Sequence, residues 1–178
     1  MKKLLAIVPM LLLAAAISNA QCTTTTCTGT STLSLTVGAE ATLAITNGTT
    51  NFAEGSGAFA DYGATTQFSY SIRTITSGQI TLAFASDFSP TTGPSFVNST
   101  TTGDKLTYTC TNSQSAVACS TSQNVTAITT AYPVAAFGTS YTTPRAGSTG
   151  SVIWNLVNDP NYLQGSYSTT ATFTISAT

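Results

Sequence analysis

Few side chains in this 178-residue sequence are able to do chemistry, and none of them is a histidine. Without imidazole there is no Ser–His–Asp or Cys–His nucleophile, no histidine general base and no His-ligated zinc or haem. A glycosidase needs two facing carboxylates about 5–10 Å apart. The acidic residues all fall in predicted turns or loops and form no such pair: Glu40, Glu54, Asp61, Asp87, Asp104 and Asp159. We therefore expect a non-enzymatic protein without a cofactor, and an exported enzyme is the least favoured hypothesis.

The four cysteines allow three disulfide pairings. Four residues separate Cys22 from Cys27, and eight separate Cys110 from Cys119. Because each partner is already near in sequence, we expect two local bridges, Cys22–Cys27 and Cys110–Cys119, formed in an oxidising compartment. A metal site is the alternative, but neither C-x-x-C spacing nor histidine supports it.

The amino terminus has the features of a bacterial-type export signal. Lys2 and Lys3 precede an apolar run over residues 4–17, and the run is followed by the small-x-small pattern that ends at Ala20. About 14 apolar residues are too few to span a bilayer, which needs roughly 20. We expect cleavage after Ala20, no membrane span, and a secreted or cell-surface protein that begins at Gln21.

Charge is sparse, at 6 % of residues against about 25 % in an ordinary globular chain. Loss of the signal lysines leaves three basic residues against six acidic ones, a net charge of −3. No basic surface for nucleic acid is therefore predicted. The threonine-rich composition favours strands. Because few charges are present to protect the edges of the sheets, those edges must be covered by other segments or paired with another strand.

Apolar residues recur with a period of two along most of the mature chain, which predicts strands rather than helices. Residues 47–64, 89–103 and 138–150 are predicted as loops. Two hairpins are predicted, one turning at 76–78 and one at 112–115, the second clamped by Cys110–Cys119. The segment 152–157 is apolar on both faces and is expected to be central. The strands are predicted at 33–37, 43–45, 68–73, 80–84, 106–110, 117–119, 125–128, 134–137, 152–157 and 167–175.

These elements predict an all-β fold, an antiparallel immunoglobulin-like β-sandwich preceded by a cleaved signal peptide. The expected organisation is a signal peptide over 1–20, a Cys/Thr-rich extension over 21–30 and a β-sandwich domain over 31–178. The turn at 158–161 is predicted to be an Asx turn, with a calcium-binding loop as the alternative.

The aromatic residues divide into core positions and candidates for ligand contact. Trp154 alternates with apolar neighbours, so a core role is favoured over stacking on a sugar. Phe68, Tyr70 and Phe84 are assigned to the core for the same reason. Four tyrosines in loops or at strand ends are the possible glycan contacts: Tyr62, Tyr132, Tyr141 and Tyr162.

One segment resembles a known family. Residues 165–175 contain Gly-x-Tyr followed by an alternating strand, which is similar to the closing strand of secreted bacterial pilin-like β-sandwiches, including spore coat protein U-like and fimbrial subunits. The resemblance implies an incomplete immunoglobulin-like sandwich that is completed by a strand from a neighbouring subunit.

Residues 21–37 are the candidate donor of such a strand, because they end in the alternating Leu33, Leu35 and Val37. The same residues also suit the first strand of their own domain, and this second interpretation is favoured. The sequence thus predicts a structural or adhesive protein whose partners are copies of itself or other surface subunits. A carbohydrate-binding module, with glycans as partners, is the alternative function.

Overall fold

The computed structural model describes residues 31–97 and 104–177. The predicted signal peptide and the Cys22–Cys27 pair lie outside the described residues. Residues from Val37 to Thr178 form one compact unit, and the preceding residues up to Thr36 belong to another. Among the described residues, no helix has the length and apolar character needed to cross a bilayer.

The larger unit is built from antiparallel strands in two sheets, an arrangement consistent with a β-sandwich. The larger sheet has the order β1-β3-β10-β5-β7, with the short β2 and β9 also paired to β3, and the smaller sheet has the order β11-β4-β8-β6. The strands are β1 (Glu40–Ile45), β2 (Ala53–Glu54), β3 (Tyr62–Thr74), β4 (Gly78–Phe84), β5 (Leu106–Asn112), β6 (Ala118–Cys119), β7 (Gln123–Val125), β8 (Tyr132–Phe137), β9 (Tyr141–Thr142), β10 (Ser148–Leu156) and β11 (Ala171–Ala177).

The core lies between the two sheets and follows the period-two pattern of the sequence. On β3, Phe68, Tyr70 and Ile72 are buried while their neighbours face outward. The prediction that 152–157 is central is confirmed, because β10 lies between β3 and β5. Its Trp154 is buried, whereas Ile153 on the opposite face is 44 % exposed.

Both predicted hairpins are wrong, although their strands are present. β3 belongs to the larger sheet and β4 to the smaller one, so the turn after Thr74 carries the chain from one sheet to the other. β5 and β6 are divided in the same way. The two strands of each pair therefore lie in opposite sheets instead of alongside each other in one sheet.

The Cys110–Cys119 disulfide is confirmed, but it joins the sheets instead of clamping a hairpin. Cys110 lies on β5 and Cys119 on β6, with their Cα atoms 5.2 Å apart. Nearby, the Cys110 backbone N–H donates to the Ser120 carbonyl at 3.1 Å, and the Ser120 N–H donates to Val134 at 2.9 Å. The bridge therefore ties the larger sheet to one edge of the smaller sheet.

The predicted strand at 33–37 is also wrong, because the first strand among the described residues begins at Glu40. Glu40 pairs with Arg73, and β3 ends one residue later at Thr74. Residues before 39 therefore have no further part of β3 to pair with. Leu33 and Leu35 are 94 % and 86 % exposed, and Val37 is exposed as well.

Two predicted loops contain strand residues that apolar periodicity does not reveal. The stretch 47–64 includes β2 and the start of β3, and 138–150 includes β9 and the start of β10. Small residues are required where β10 begins, since a Cβ on Gly150 would lie 2.5 Å from Cζ of Phe68. Two other predicted strands extend beyond the observed ones. β7 ends at Val125 instead of residue 128, and β11 begins at Ala171, so Tyr167 lies outside it.

Candidate functional site

The outer edges of β1 and β11 are unpaired in the described part of the chain. β1 pairs only with β3, and β11 pairs only with β4. These two edge strands belong to different sheets but run near each other on one side of the sandwich. Along β11, Ala171, Phe173 and Ile175 are only half-buried. This side of the molecule therefore presents free backbone groups beside incompletely covered apolar side chains.

Between the end of β1 and the start of β11 lies a groove of about 460 Å³, here called the edge groove. Its apolar lining includes Ile45, Phe84, Leu106, Trp154 and Phe173. The Trp154 indole N–H donates to Thr66 Oγ1 at 2.9 Å, and Thr66 in turn hydrogen-bonds Thr50 at 2.7 Å. Because the indole N–H already has an acceptor within the core, Trp154 contributes an apolar ring surface to the groove.

A second cavity of about 620 Å³, here called the loop cleft, lies between the 55–61 loop and the 158–167 loop. The first loop joins β2 to β3, where Glu54 pairs with Tyr62. The second loop follows β10 and precedes β11. The cleft therefore lies at one end of the sandwich, where connections between strands come together.

The four tyrosines predicted as glycan contacts do not form one surface. Tyr62 and Tyr162 both line the loop cleft. Tyr132 is buried, and its hydroxyl accepts hydrogen bonds from the backbone N–H groups of Thr126 and Ala127. Tyr141 pairs with Thr74 at the other end of the 13-residue β3, about 40 Å from Tyr62. Only the first two are thus placed for contact with one ligand, and Tyr132 is a core residue.

Each carboxylate has a structural hydrogen-bond partner. Asp87 accepts from the backbone N–H groups of Phe88 and Phe96, and Asp104 accepts from the Tyr162 hydroxyl at 2.9 Å. Glu40 pairs with Arg73 at 2.8 Å. Within residues 31–97 and 104–177, no group of three or more acidic, cysteine or histidine side chains is arranged to hold a metal ion.

The turn at 158–161 is an Asx turn, as the sequence predicts. The Asp159 carboxylate accepts hydrogen bonds from the backbone and the side-chain amide of Asn161, both at 2.8 Å. The Tyr162 N–H also donates to the Asp159 carbonyl at 3.0 Å. This turn shapes the rim of the loop cleft and directs the Tyr162 ring into it.

Sequence reasoning missed two cleft residues, Phe59 and Leu163, which are 60 % and 61 % exposed. Both lie in stretches without strand periodicity, so the pattern assigned them to no face. The only sequence signal for Phe59 is the presence of a large aromatic residue among glycine, alanine and serine.

Alkaline pH is expected to destabilise the fold through its buried tyrosines. Burial, followed by the charge and hydrogen bond of Tyr70, raises the pKa of Tyr141 to about 12. Burial is also the main cause that raises the pKa values of Tyr108 and Tyr162. Because the unfolded tyrosines lose their protons first, near pH 10, the free energy of unfolding should be level below about pH 9 and fall above pH 10. Denaturant titrations across this range test the sign, and a rise in stability above pH 10 would contradict it.

No family model, no curated protein and no solved structure matches this chain.

Proposed function

We propose that this protein is a secreted structural or adhesive component of the cell surface or of an extracellular filament, and that its copies associate by strand addition. In this proposal residues 1–20 are a cleaved signal peptide, and the two sheets form an immunoglobulin-like sandwich. The observation that carries the proposal is the exposure of Leu33, Leu35 and Val37 in a segment that belongs to no strand.

Residues 31–37, the described part of the candidate donor 21–37 and here called the donor segment, have the chemistry of a strand that lacks a partner. Alternate residues of a strand lie about 6.8 Å apart on one face, so the three apolar side chains form a single row. Burial of each such side chain contributes about 1.5–3 kcal/mol. Leaving them in water forgoes that free energy, and a second chain able to cover them would recover it.

The edge of β11 has the chemistry of an acceptor. Natural edge strands are usually protected by charges, proline or bulges. β11 has the sequence ATFTISA, without charge or proline, and its pairing with β4 runs in unbroken register from Ala171 to Ala177. Strand addition supplies main-chain hydrogen bonds at such an edge, and side-chain pockets supply the specificity. The half-buried Phe173 and the adjoining edge groove offer those pockets.

A neighbouring copy is the occupant we propose for this edge. The donor row and the groove lining are both apolar, and every copy of the chain carries one donor and one acceptor. Because the donor and the acceptor are different surfaces, the copies associate head to tail. They form a closed ring if the rotation from one copy to the next closes after a whole number of copies, and an open filament if it does not. The low charge of the chain removes the electrostatic repulsion that keeps many domains apart.

We expect the chain from residue 21 to form a ladder of oligomers, and the chain shortened to begin at Gly38 to be a folded monomer. Size-exclusion chromatography with light scattering measures both, and circular dichroism checks the fold. A peptide of residues 31–39 should bind the shortened chain and raise its unfolding temperature.

The matched control replaces the polar residues that alternate with the apolar ones in the same segment. Leu33→Ser/Leu35→Ser should abolish the ladder, whereas Ser34→Ala/Thr36→Ala should preserve it, because only the first pair removes the apolar row. A full-length chain that is a stable monomer at all concentrations would refute strand donation, and if its shortened form also unfolds in isolation the domain is self-contained.

A further inference from the structure

We propose that the loop cleft binds a neutral saccharide, with Phe59 as the ring on which the sugar stacks. This inference is independent of the strand addition proposed above, since it is argued only from residues that line the cleft at one end of the sandwich. Three features of the cleft support it: the exposure of Phe59, the hydrogen bonds that hold its two rims, and the charge of its lining.

Phe59 is displayed in an unusual way. It is the one exposed phenylalanine among the eight in the sequence, all of which lie in the described residues. Its φ is +54°, in the left-handed region that bulky side chains rarely adopt. Strained backbone of this kind is concentrated at ligand-binding sites. The loop thus maintains a costly conformation that holds an aromatic face in solvent at the mouth of a cavity.

The rim that carries Phe59 is fastened to the opposite loop. Asp61 Oδ1 accepts from the Asn158 backbone N–H at 3.3 Å, and Asp61 Oδ2 accepts from Asn155 Nδ2 at 3.1 Å. The Asn158 side-chain amide donates to Glu54 Oε1 and to the Ala60 carbonyl, both at 3.2 Å. These bonds hold the two rims at a defined separation before any ligand arrives, which reduces the entropy lost on binding.

The second rim is also preformed. The Tyr167 hydroxyl donates to the Leu163 carbonyl at 2.6 Å and closes the loop around Gly165. The Tyr167 ring packs so closely on Gly93 that any side chain there would overlap it. Leu163, 61 % exposed, therefore faces the cleft from a fixed backbone.

The lining favours a neutral polyhydroxyl ligand. The Glu54 and Asp159 carboxylates and the Gln164 amide line the cleft, and among the residues that the structure describes no lysine or arginine does. Carboxylate and amide oxygens accept hydrogen bonds from sugar hydroxyls, while Phe59 offers an apolar face to the C–H face of a pyranose. Two acidic residues without a basic one disfavour uronates and sulfated glycans. A quaternary ammonium ion prefers a cage of several exposed rings. Among the described residues that line the cleft, Phe59 is the one exposed ring, and Tyr62 and Tyr162 are half-buried.

The test uses the chain from residue 21 and three probes: neutral hexose oligosaccharides, uronate oligosaccharides and choline. We expect an array or calorimetry to detect a neutral oligosaccharide with a Kd on the order of millimolar or tighter. Phe59→Asn should weaken this binding by about tenfold or more. Because asparagine tolerates the left-handed region, the same variant should unfold at or above the parent temperature. Loss of binding without loss of stability separates a ligand contact from a structural role.

The matched control is Ile75→Asn, which removes a side chain that is 81 % exposed in the turn between β3 and β4. It should bind the neutral oligosaccharide as the parent does, and both variants should keep the oligomeric state of the parent. The proposal is overturned if no neutral oligosaccharide binds, if only the uronates or choline bind, or if Phe59→Asn binds as tightly as the parent.

Discussion

Replacement of Trp154 by alanine is expected to lower the free energy of unfolding by about 3–5 kcal/mol. Trp154 lies on the central strand β10, and its ring contacts Phe84 of the smaller sheet and Tyr108 of the neighbouring strand. Its removal leaves a cavity that strands of both sheets cannot close without breaking register. It also deprives Thr66 Oγ1 of the indole N–H as a hydrogen-bond donor.

The size of this effect matters because a domain has only about 5–15 kcal/mol of stability in total. Denaturant unfolding followed by circular dichroism measures the change. Ile153→Ala is the matched control, since Ile153 is the next residue on the same strand but faces outward at 44 % exposed. It should cost less than about 1 kcal/mol. Similar losses in the two variants would contradict the assignment of Trp154 to the core between the sheets.

Removal of the Cys110–Cys119 bridge, by Cys110→Ala/Cys119→Ala, is expected to cost about 2–4 kcal/mol. The bridge limits the freedom of the unfolded chain, and in the folded chain it holds the two-residue β6 at the edge of the smaller sheet. In the part of the chain that the structure describes, β6 pairs only with β8, so its few hydrogen bonds cannot hold it as firmly without the covalent link. In this double variant, hydrogen exchange of the backbone amides at positions 118 and 119 should therefore become faster by a larger factor than exchange on β10.

The matched control is Cys22→Ala/Cys27→Ala, and we expect its loss of stability to be smaller. The double variants are preferable to a reducing agent, which would not separate the Cys110–Cys119 bridge from the predicted Cys22–Cys27 bridge. An equal or larger loss in the Cys22/Cys27 variant would contradict the view that the inter-sheet bridge is the one that supports the core.

The sequence by itself determined most of the longer strands, the core and one bridge. Period-two alternation places Phe68, Tyr70 and Trp154 on buried faces, and this local rule needs no knowledge of which strands are neighbours. The Cys110–Cys119 pairing was equally predictable, since a short connection brings the two thiols together in any compact arrangement.

Only the tertiary structure decided which strands share a sheet. Alternation predicts which face of a strand is buried. It does not predict whether the next strand pairs alongside it in the same sheet or lies across the core in the opposite sheet. The choice depends on long-range pairing, as when β3 takes β1 and β10 as its partners and leaves β4 to the smaller sheet. Both predicted hairpins failed for this reason.

The tertiary structure also decided the fate of the alternating segment and of the candidate tyrosines. Leu33 and Leu35 have the period of a strand, but a strand forms only where another is in line to pair with it, and β3 ends beside Glu40. Tyr62 and Tyr162 are separated by 100 residues and come together only because two loops converge at one end of the sandwich. Sequence periodicity is a local property, whereas pairing and convergence arise from contacts between distant residues, so no local pattern contains them.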